Sequence, residues 1–280
     1  MTALAGELFA TRRRPGVWVV GGVWLVLAVV FGMAVPYIVY LAISGDAAAA
    51  AAGDPEKLLA SLLPDRMVPT TLSLFPLFGS AIMLILGAVV AGGDHRWGTW
   101  GTLLTQGPGR TTVVLAKIAA LAVALVGVVV ATFVAVAVVG VALAVLEGRS
   151  IDWPALGSVA AGLGAAWLVS LAAASLGFTL AMIFRGTGTA LGVGLVWLLA
   201  LENAVNGLSF LLDVTPVQKV LLGPNAGSLA AALGASTQDD GGTPGVVATS
   251  GPLTACLVLA AYTVVLAAIS VTLTNRRDCG

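Results

Sequence analysis

Residues 94–110, DHRWGTWGTLLTQGPGR, form a polar segment between apolar runs at residues 71–92 and 112–146, around which the rest of the chain is organised. It contains the only histidine of the chain, His95, together with two tryptophans and two arginines. So short an interruption between runs that can each cross a bilayer predicts a tight loop at one membrane face. We predict that this polar and basic segment, the 94–110 loop, is presented to a partner. The alternative is a merely solvated basic loop.

The composition of the whole chain places it in a membrane. Of its 280 residues, 59% are hydrophobic and only 9% are charged, and the mean hydropathy is +1.05. A soluble domain has about 25% charged residues. We therefore expect an all-α polytopic membrane protein whose surroundings are the lipid bilayer, with no nucleic-acid partner.

The apolar runs predict a single transmembrane domain over residues 1–280. Residues 1–15 form a short amphipathic helix in the membrane interface, with Leu4, Leu8 and Phe9 near one side. Six spans follow at about 17–43, 71–92, 112–146, 157–184, 188–212 and 252–274, each close to or above the ~20 residues that a bilayer requires. We expect a kink near Pro36. Residues 213–251 are predicted to form a re-entrant or surface segment on the outer side.

Charge predicts the orientation of the spans. If the N-terminus is inside, nine of the 13 basic residues are inside: Arg12, Arg13, Arg14, Arg96, Arg110, Lys117, Arg185, Arg276 and Arg277. This positive-inside bias predicts a multi-pass plasma-membrane protein with both termini and the 94–110 loop in the cytoplasm. Arg12, Arg13, Arg14 and Lys117 are then interfacial anchors, Lys117 by extending its side chain to the inner interface.

The inventory of reactive groups argues against catalysis by this chain. His95 lies outside the spans, and there is no metal-ligand motif, cysteine cluster or Walker-type phosphate loop. We expect no catalytic residue, no metal and no cofactor bound by this chain.

Glu202, followed by Asn203, is the outstanding ionisable residue within a span, where a charge is costly. One interpretation is a carboxylate that faces a translocation path or a dimer seam. The other is that the helix ends near Leu201, which leaves Glu202 in the outer interface. Nearby, Gly188 and Gly192 form a Gly-x-x-x-Gly pattern that would allow two helices to approach closely.

The loop resembles the signature of the ABC-2 type permeases, the membrane subunits of ATP-binding-cassette transporters. The resemblance rests on Asp94, Gly98-Thr99, Thr102-Leu103-Leu104, Gly107-Pro108-Gly109-Arg110 and Lys117. The segment Glu7-Leu8-Phe9-x-x-Arg12-Arg13 is similar to the interfacial elbow helix of that family. Leu201-Glu202-Asn203 and Leu221-Leu222-Gly223-Pro224 resemble the glutamate and Leu-Pro element after its fifth helix. Asp94 departs from the pattern, since the family has glutamate there.

The resemblance implies a type V (ABC-2) exporter-like half-transporter with an elbow helix and six spans. It would pair with a second copy or a sister permease. ATP-binding-cassette ATPase subunits, which carry the ATP and Mg, would hold residues 93–111 as a cytoplasmic coupling loop. The coupling residues would be Asp94, Arg96, Trp97, Gly98, Thr99 and Arg110. The apolar spans suggest export of an amphiphile such as a drug, lipid or peptide-like molecule.

Two other functions stay open from the sequence. The chain could be an ion-coupled secondary carrier that uses Glu202, or a membrane scaffold that transports nothing. An ATP-binding-cassette reading frame beside the gene would favour the permease.

Overall fold

The computed structural model describes residues 3–44, 54–96, 109–208 and 215–276, and for residues 94–96 and 215 it describes the backbone alone. Within these ranges the regular structure is entirely helical. Six of the described helices are long and apolar enough to cross a membrane. The predicted all-α polytopic membrane architecture is therefore confirmed.

The helices are numbered along the chain. They are α1 Ala3–Arg13, α2 Pro15–Ser44, α3 Pro55–Leu62, α4 Met67–Ser73, α5 Ser80–Arg96, α6 Arg110–Leu146, α7 Leu156–Phe184, α8 Thr187–Leu208, α9 Thr215–Gln218, α10 Leu222–Ala232 and α11 Pro252–Arg276. The candidate spans are α2, α6, α7, α8, α11 and the stretch Phe75–Gly93 that includes most of α5.

Burial separates the spans into a centre and a periphery. The most apolar 18-residue windows of Phe75–Gly93 and α7 are 72% and 67% buried, whereas those of the other four spans are 11–28% buried. Helices α5 and α7 therefore form the core. Helices α2, α6, α8 and α11 surround this core. Their outer faces expose valine and leucine side chains, and lipid would cover these faces.

The central pair is in backbone contact. Gly87 of α5 lies against the carbonyl of Ala174, and Gly177 of α7 lies against the carbonyl of Leu84, so closely that a Cβ at either glycine would overlap the opposing backbone. Small residues are needed wherever two membrane helices approach this closely. In contrast, no described atom outside the local backbone lies within 4 Å of a Cβ placed on Gly188 or Gly192. The predicted close approach at that pair is thus not made among the described residues.

Proline interrupts two of the spans. A π-helical turn at Val30–Ala34 precedes Pro36, and a second one at Phe75–Gly79 contains Pro76. Proline has no N–H to donate, so one hydrogen bond of the regular ladder is missing at each of these positions, although the helix continues beyond it. A π-helical turn therefore lies just before Pro36, and the kink expected there stays a prediction.

Helix α6 spans 37 residues. At a rise of 1.5 Å per residue its length is ~55 Å, longer than a hydrocarbon core of ~30 Å, so it is tilted or projects beyond the bilayer. At its first turn, Arg110 Nη1 donates to the carbonyl of Thr274 at 3.4 Å, and Asn275 Nδ2 donates to Thr111 Oγ1 at 3.1 Å. The start of α6 and the end of α11 thus meet at one end of the bundle, which we call the loop end; the other is the far end.

Candidate functional sites at the two ends of the bundle

The structure describes the flanks of the 94–110 loop. Residues 97–108, which include Trp97, Gly98 and Thr99, lie outside the described residues. The backbone of Asp94 and Arg96 is the last turn of α5, and Arg110 is the first residue of α6. The predicted contacts of these residues with an ATPase subunit stay a prediction.

Helix α1 and the residue that follows it, Arg14, are bonded to the two helices that flank the loop. Lys117 Nζ of α6 lies 2.8 Å and 2.9 Å from the two carboxylate oxygens of Glu7 in α1. Arg14, between α1 and α2, donates from Nη1 to the carbonyl of Val90 in α5 at 2.5 Å. We call this arrangement the α1 brace, because the short segment from Glu7 to Arg14 connects the helices before and after the loop.

The side chain of Lys117 does not extend into open surroundings as predicted, since it is 1% exposed and ends on the carboxylate of Glu7. Its role as an interfacial anchor stays a prediction. Glu7 lies on the buried side of α1 with Thr11, one turn further on. An enclosed ammonium is stable only when an opposite charge accompanies it, which explains why an acidic residue occupies the inner face of this helix.

At the far end, Glu202 ties α8 to α10. Its carboxylate accepts hydrogen bonds from Trp197 Nε1 at 2.7 Å and from the backbone N–H of Gly223 at 2.5 Å. Gly223 is the second residue of α10, where backbone N–H groups lack partners within the helix and the helix dipole favours a negative charge. A Cβ at Gly223 would lie 2.6 Å from the Glu202 oxygen, so only glycine allows this contact without displacement.

The structure tests one of the two interpretations of Glu202, namely that the helix ends before this residue and leaves its carboxylate exposed. Helical structure continues from Glu202 to Leu208, and Glu202 is 1% exposed. The interpretation that the helix ends near Leu201 and leaves the carboxylate in the interface is therefore wrong. The carboxylate is enclosed by its own chain; a role beside a translocation path or at a dimer seam stays a prediction.

Further polar contacts surround the hydrogen bond from Gly223 to Glu202, which we call the α8–α10 tie. Gln218 Nε2 donates to Asn206 Oδ1 at 3.2 Å, and Asn225 Nδ2 donates to the carbonyl of Leu221 at 2.7 Å. Asn203 Nδ2 donates to carbonyls of its own helix, those of Leu198 and Leu199, so it takes no direct part in the tie. A cavity of about 10 Å³, large enough for roughly one water molecule, is lined by Pro76, Leu77, Leu198, Glu202, Asn203, Asn206, Gly223 and Gly245.

Sequence reasoning did not identify Glu7 or Gly223 as partners of the two buried charges. The available signal for Gly223 was the Gly-Pro pair at 223–224, since proline in a first turn is typical of a helix start. Glu7 had no such signal, because its partner lies 110 residues away. Within the described ranges, no group of three or more His, Cys, Asp or Glu residues could hold a metal ion.

We expect Glu202→Ala to loosen α10 without unfolding the bundle. A hydrogen bond to a charged acceptor contributes ~1.5 kcal/mol or more, so amides in the first turn of α10 should exchange about tenfold faster or more. Hydrogen–deuterium exchange of residues 222–232 measures this. Asn203→Ala is the matched control, since Asn203 bonds only to its own helix. Equal exchange in the two variants would contradict the tie.

The fold and these contacts define the class: an all-helical, multi-pass membrane protein. A family model described as "Protein of unknown function (DUF2705)" matches residues 25–279. Since this match covers most of the chain, the protein belongs to the DUF2705 family. No curated protein matches the chain.

Proposed function

We propose that this chain is the membrane-spanning permease subunit of an ATP-binding-cassette transporter of the ABC-2 type. It would export an amphiphilic substrate, such as a drug, a lipid or a peptide-like molecule, with ATP and Mg held by separate ATPase subunits. It would work in the plasma membrane with both termini cytoplasmic, paired with a second copy or a sister permease. The single observation that carries the proposal is the α1 brace, because it fixes the two helices on which the loop is mounted.

The α1 brace supports a coupling role because it connects α5 to α6. A displacement of the loop would move α5 and α6 together, since Glu7 and Arg14 connect one helix region to both. Helix α5 is in backbone contact with α7 at Gly87 and Gly177. Motion at the loop end would therefore reach the centre of the bundle as a rigid-body shift, as transitions of this kind require.

The geometry at Glu202 favours this proposal over the ion-coupled carrier. A coupling carboxylate must bind and release its ion or proton during transport. The Glu202 carboxylate already accepts two N–H groups, those of the Trp197 indole and the Gly223 backbone, within its own chain. This environment supports a structural tie.

The test is to co-purify the chain in mild detergent with an ATP-binding-cassette subunit encoded beside its gene and to measure ATPase activity and export. We expect a stable complex whose export falls by tenfold or more in Arg110→Glu, since the reversed charge would disrupt the end of the loop. Membrane insertion should be unchanged, because Arg110 lies at the start of α6 and outside the core.

The matched control is Arg276→Glu, a charge reversal on an exposed residue at the same end of the bundle but outside the loop. It should leave both activities within about twofold of the wild type. Wild-type export in Arg110→Glu would remove the coupling role of this residue. The absence of a complex with any such ATPase would remove the proposed function itself.

A further inference from the structure

Helix α1 has its polar and apolar sides arranged opposite to those of a helix that faces water. The charged side chain of Glu7 and the hydroxyl of Thr11 are buried against the bundle. Leu4 and Phe9 are exposed, with Phe9 at 59%, beside the exposed Arg12 and Arg13. Water alone would not favour this outward face, because it exposes the large apolar side chains of the helix.

The outward face carries only positive charge. Glu7 is the only carboxylate in α1, and Lys117 neutralises it inside the protein. The Arg13 guanidinium carbon lies 5.1 Å from the centre of the Phe9 ring, within the range of a cation–π contact. Arg12 and Arg13 are therefore the charged groups that α1 presents outward.

The position of this face is set by the span that follows it. Helix α2 begins at Pro15, one residue after Arg14. In its first turn, Trp18 is 66% exposed, and its indole Nε1 donates to the carbonyl of Arg12 at 2.8 Å. Tryptophan at the end of a span is typical of the headgroup level of a bilayer. In a bilayer this would place Arg12 and Arg13 at the level of the lipid phosphates.

We propose that the outward face of α1, formed by Phe9, Arg12, Arg13 and Trp18, is a binding surface for an anionic phospholipid. The two guanidinium groups would pair with the phosphate, whose negative charge no cationic headgroup neutralises in such a lipid, since arginine matches phosphate oxygens with two parallel hydrogen bonds. Phe9 and Trp18 would contact the upper acyl chain, as aromatic residues do on interfacial helices. This inference does not depend on the proposed transport function.

The test is native mass spectrometry of the purified protein titrated with phosphatidylglycerol or phosphatidylcholine in detergent. We expect the wild type to bind phosphatidylglycerol more tightly. The double variant Arg12→Gln/Arg13→Gln should bind it roughly 30-fold more weakly, which corresponds to ~1 kcal/mol for each basic residue near a lipid surface. Its thermal unfolding should be unchanged, because the Glu7–Lys117 pair is retained.

A control variant removes the same charge elsewhere. Lys57→Gln/Arg66→Gln also deletes two positive charges, and both side chains are well exposed, at 86% and 61%. It should bind phosphatidylglycerol as the wild type does. The proposal is overturned if the two double variants lose the same affinity, if Arg12→Gln/Arg13→Gln binds normally, or if phosphatidylcholine binds as tightly as phosphatidylglycerol.

Discussion

Gly177→Val is expected to abolish the folded protein. Its side chain would have to occupy the space taken by the carbonyl group of Leu84, and even a Cβ at this position overlaps that backbone. A rigid opposing helix cannot rotate out of the way as a flexible side chain could. We expect a destabilisation larger than ~3 kcal/mol, above the usual range for overpacking, because the clash involves main-chain atoms.

The measurement is the yield of monodisperse protein in detergent and the midpoint of its thermal unfolding. Gly164→Val is the matched control on the same helix, since no described atom outside the local backbone lies within 4 Å of a Cβ there. It should behave as the wild type does. A well-folded Gly177→Val protein would show that α5 and α7 are not in backbone contact.

Lys117→Met is expected to have the second largest effect. It removes the ammonium that neutralises the buried carboxylate of Glu7, so the negative charge is left without its partner. Breaking a buried ion pair by removing one partner costs ~3–5 kcal/mol, whereas replacing both partners with apolar side chains is often neutral. Glu7→Met/Lys117→Met should therefore recover most of the lost stability.

Thermal unfolding of the two single variants and the double variant forms a cycle that isolates the interaction between Glu7 and Lys117. The control is the exposed pair of Arg149 and Glu56, whose closest N–O distance is 2.7 Å. Because exposed pairs contribute at most ~1 kcal/mol, Arg149→Met should lower the stability only slightly. Additive effects of Glu7→Met and Lys117→Met would show that the two residues do not interact.

The residue bounds of the predicted spans agree closely with those of the helices in the structure, and the reason is physical. A bilayer requires an uninterrupted apolar stretch of a set length, and such a stretch is a local property of the chain. The apolar run at 252–274, for example, corresponds to the helix Pro252–Arg276. For the fifth span, helix α8 is described as far as Leu208, and the predicted end at residue 212 lies outside the described residues.

The sequence identifies single residues of the candidate sites but not the residues with which they are paired. Glu202 stood out because a carboxylate in an apolar run is rare, yet its partners Trp197 and Gly223 could not be inferred from that fact. Lys117 was interpreted from its place near the end of a span. Its enclosure by Glu7 depends on how α1 is placed against α6, which no short-range pattern encodes.

Local hydropathy and the thickness of a bilayer are enough to predict the class of the protein and its six apolar helices. Which face of each helix is buried depends on how the helices pack. The spans are apolar on all sides, so periodicity does not indicate the inner face, and the backbone contact at Gly87 and Gly177 selects it instead. Likewise, Glu7 and Glu202 are each paired across helices, because a charge removed from water must be matched by a group that the fold places beside it.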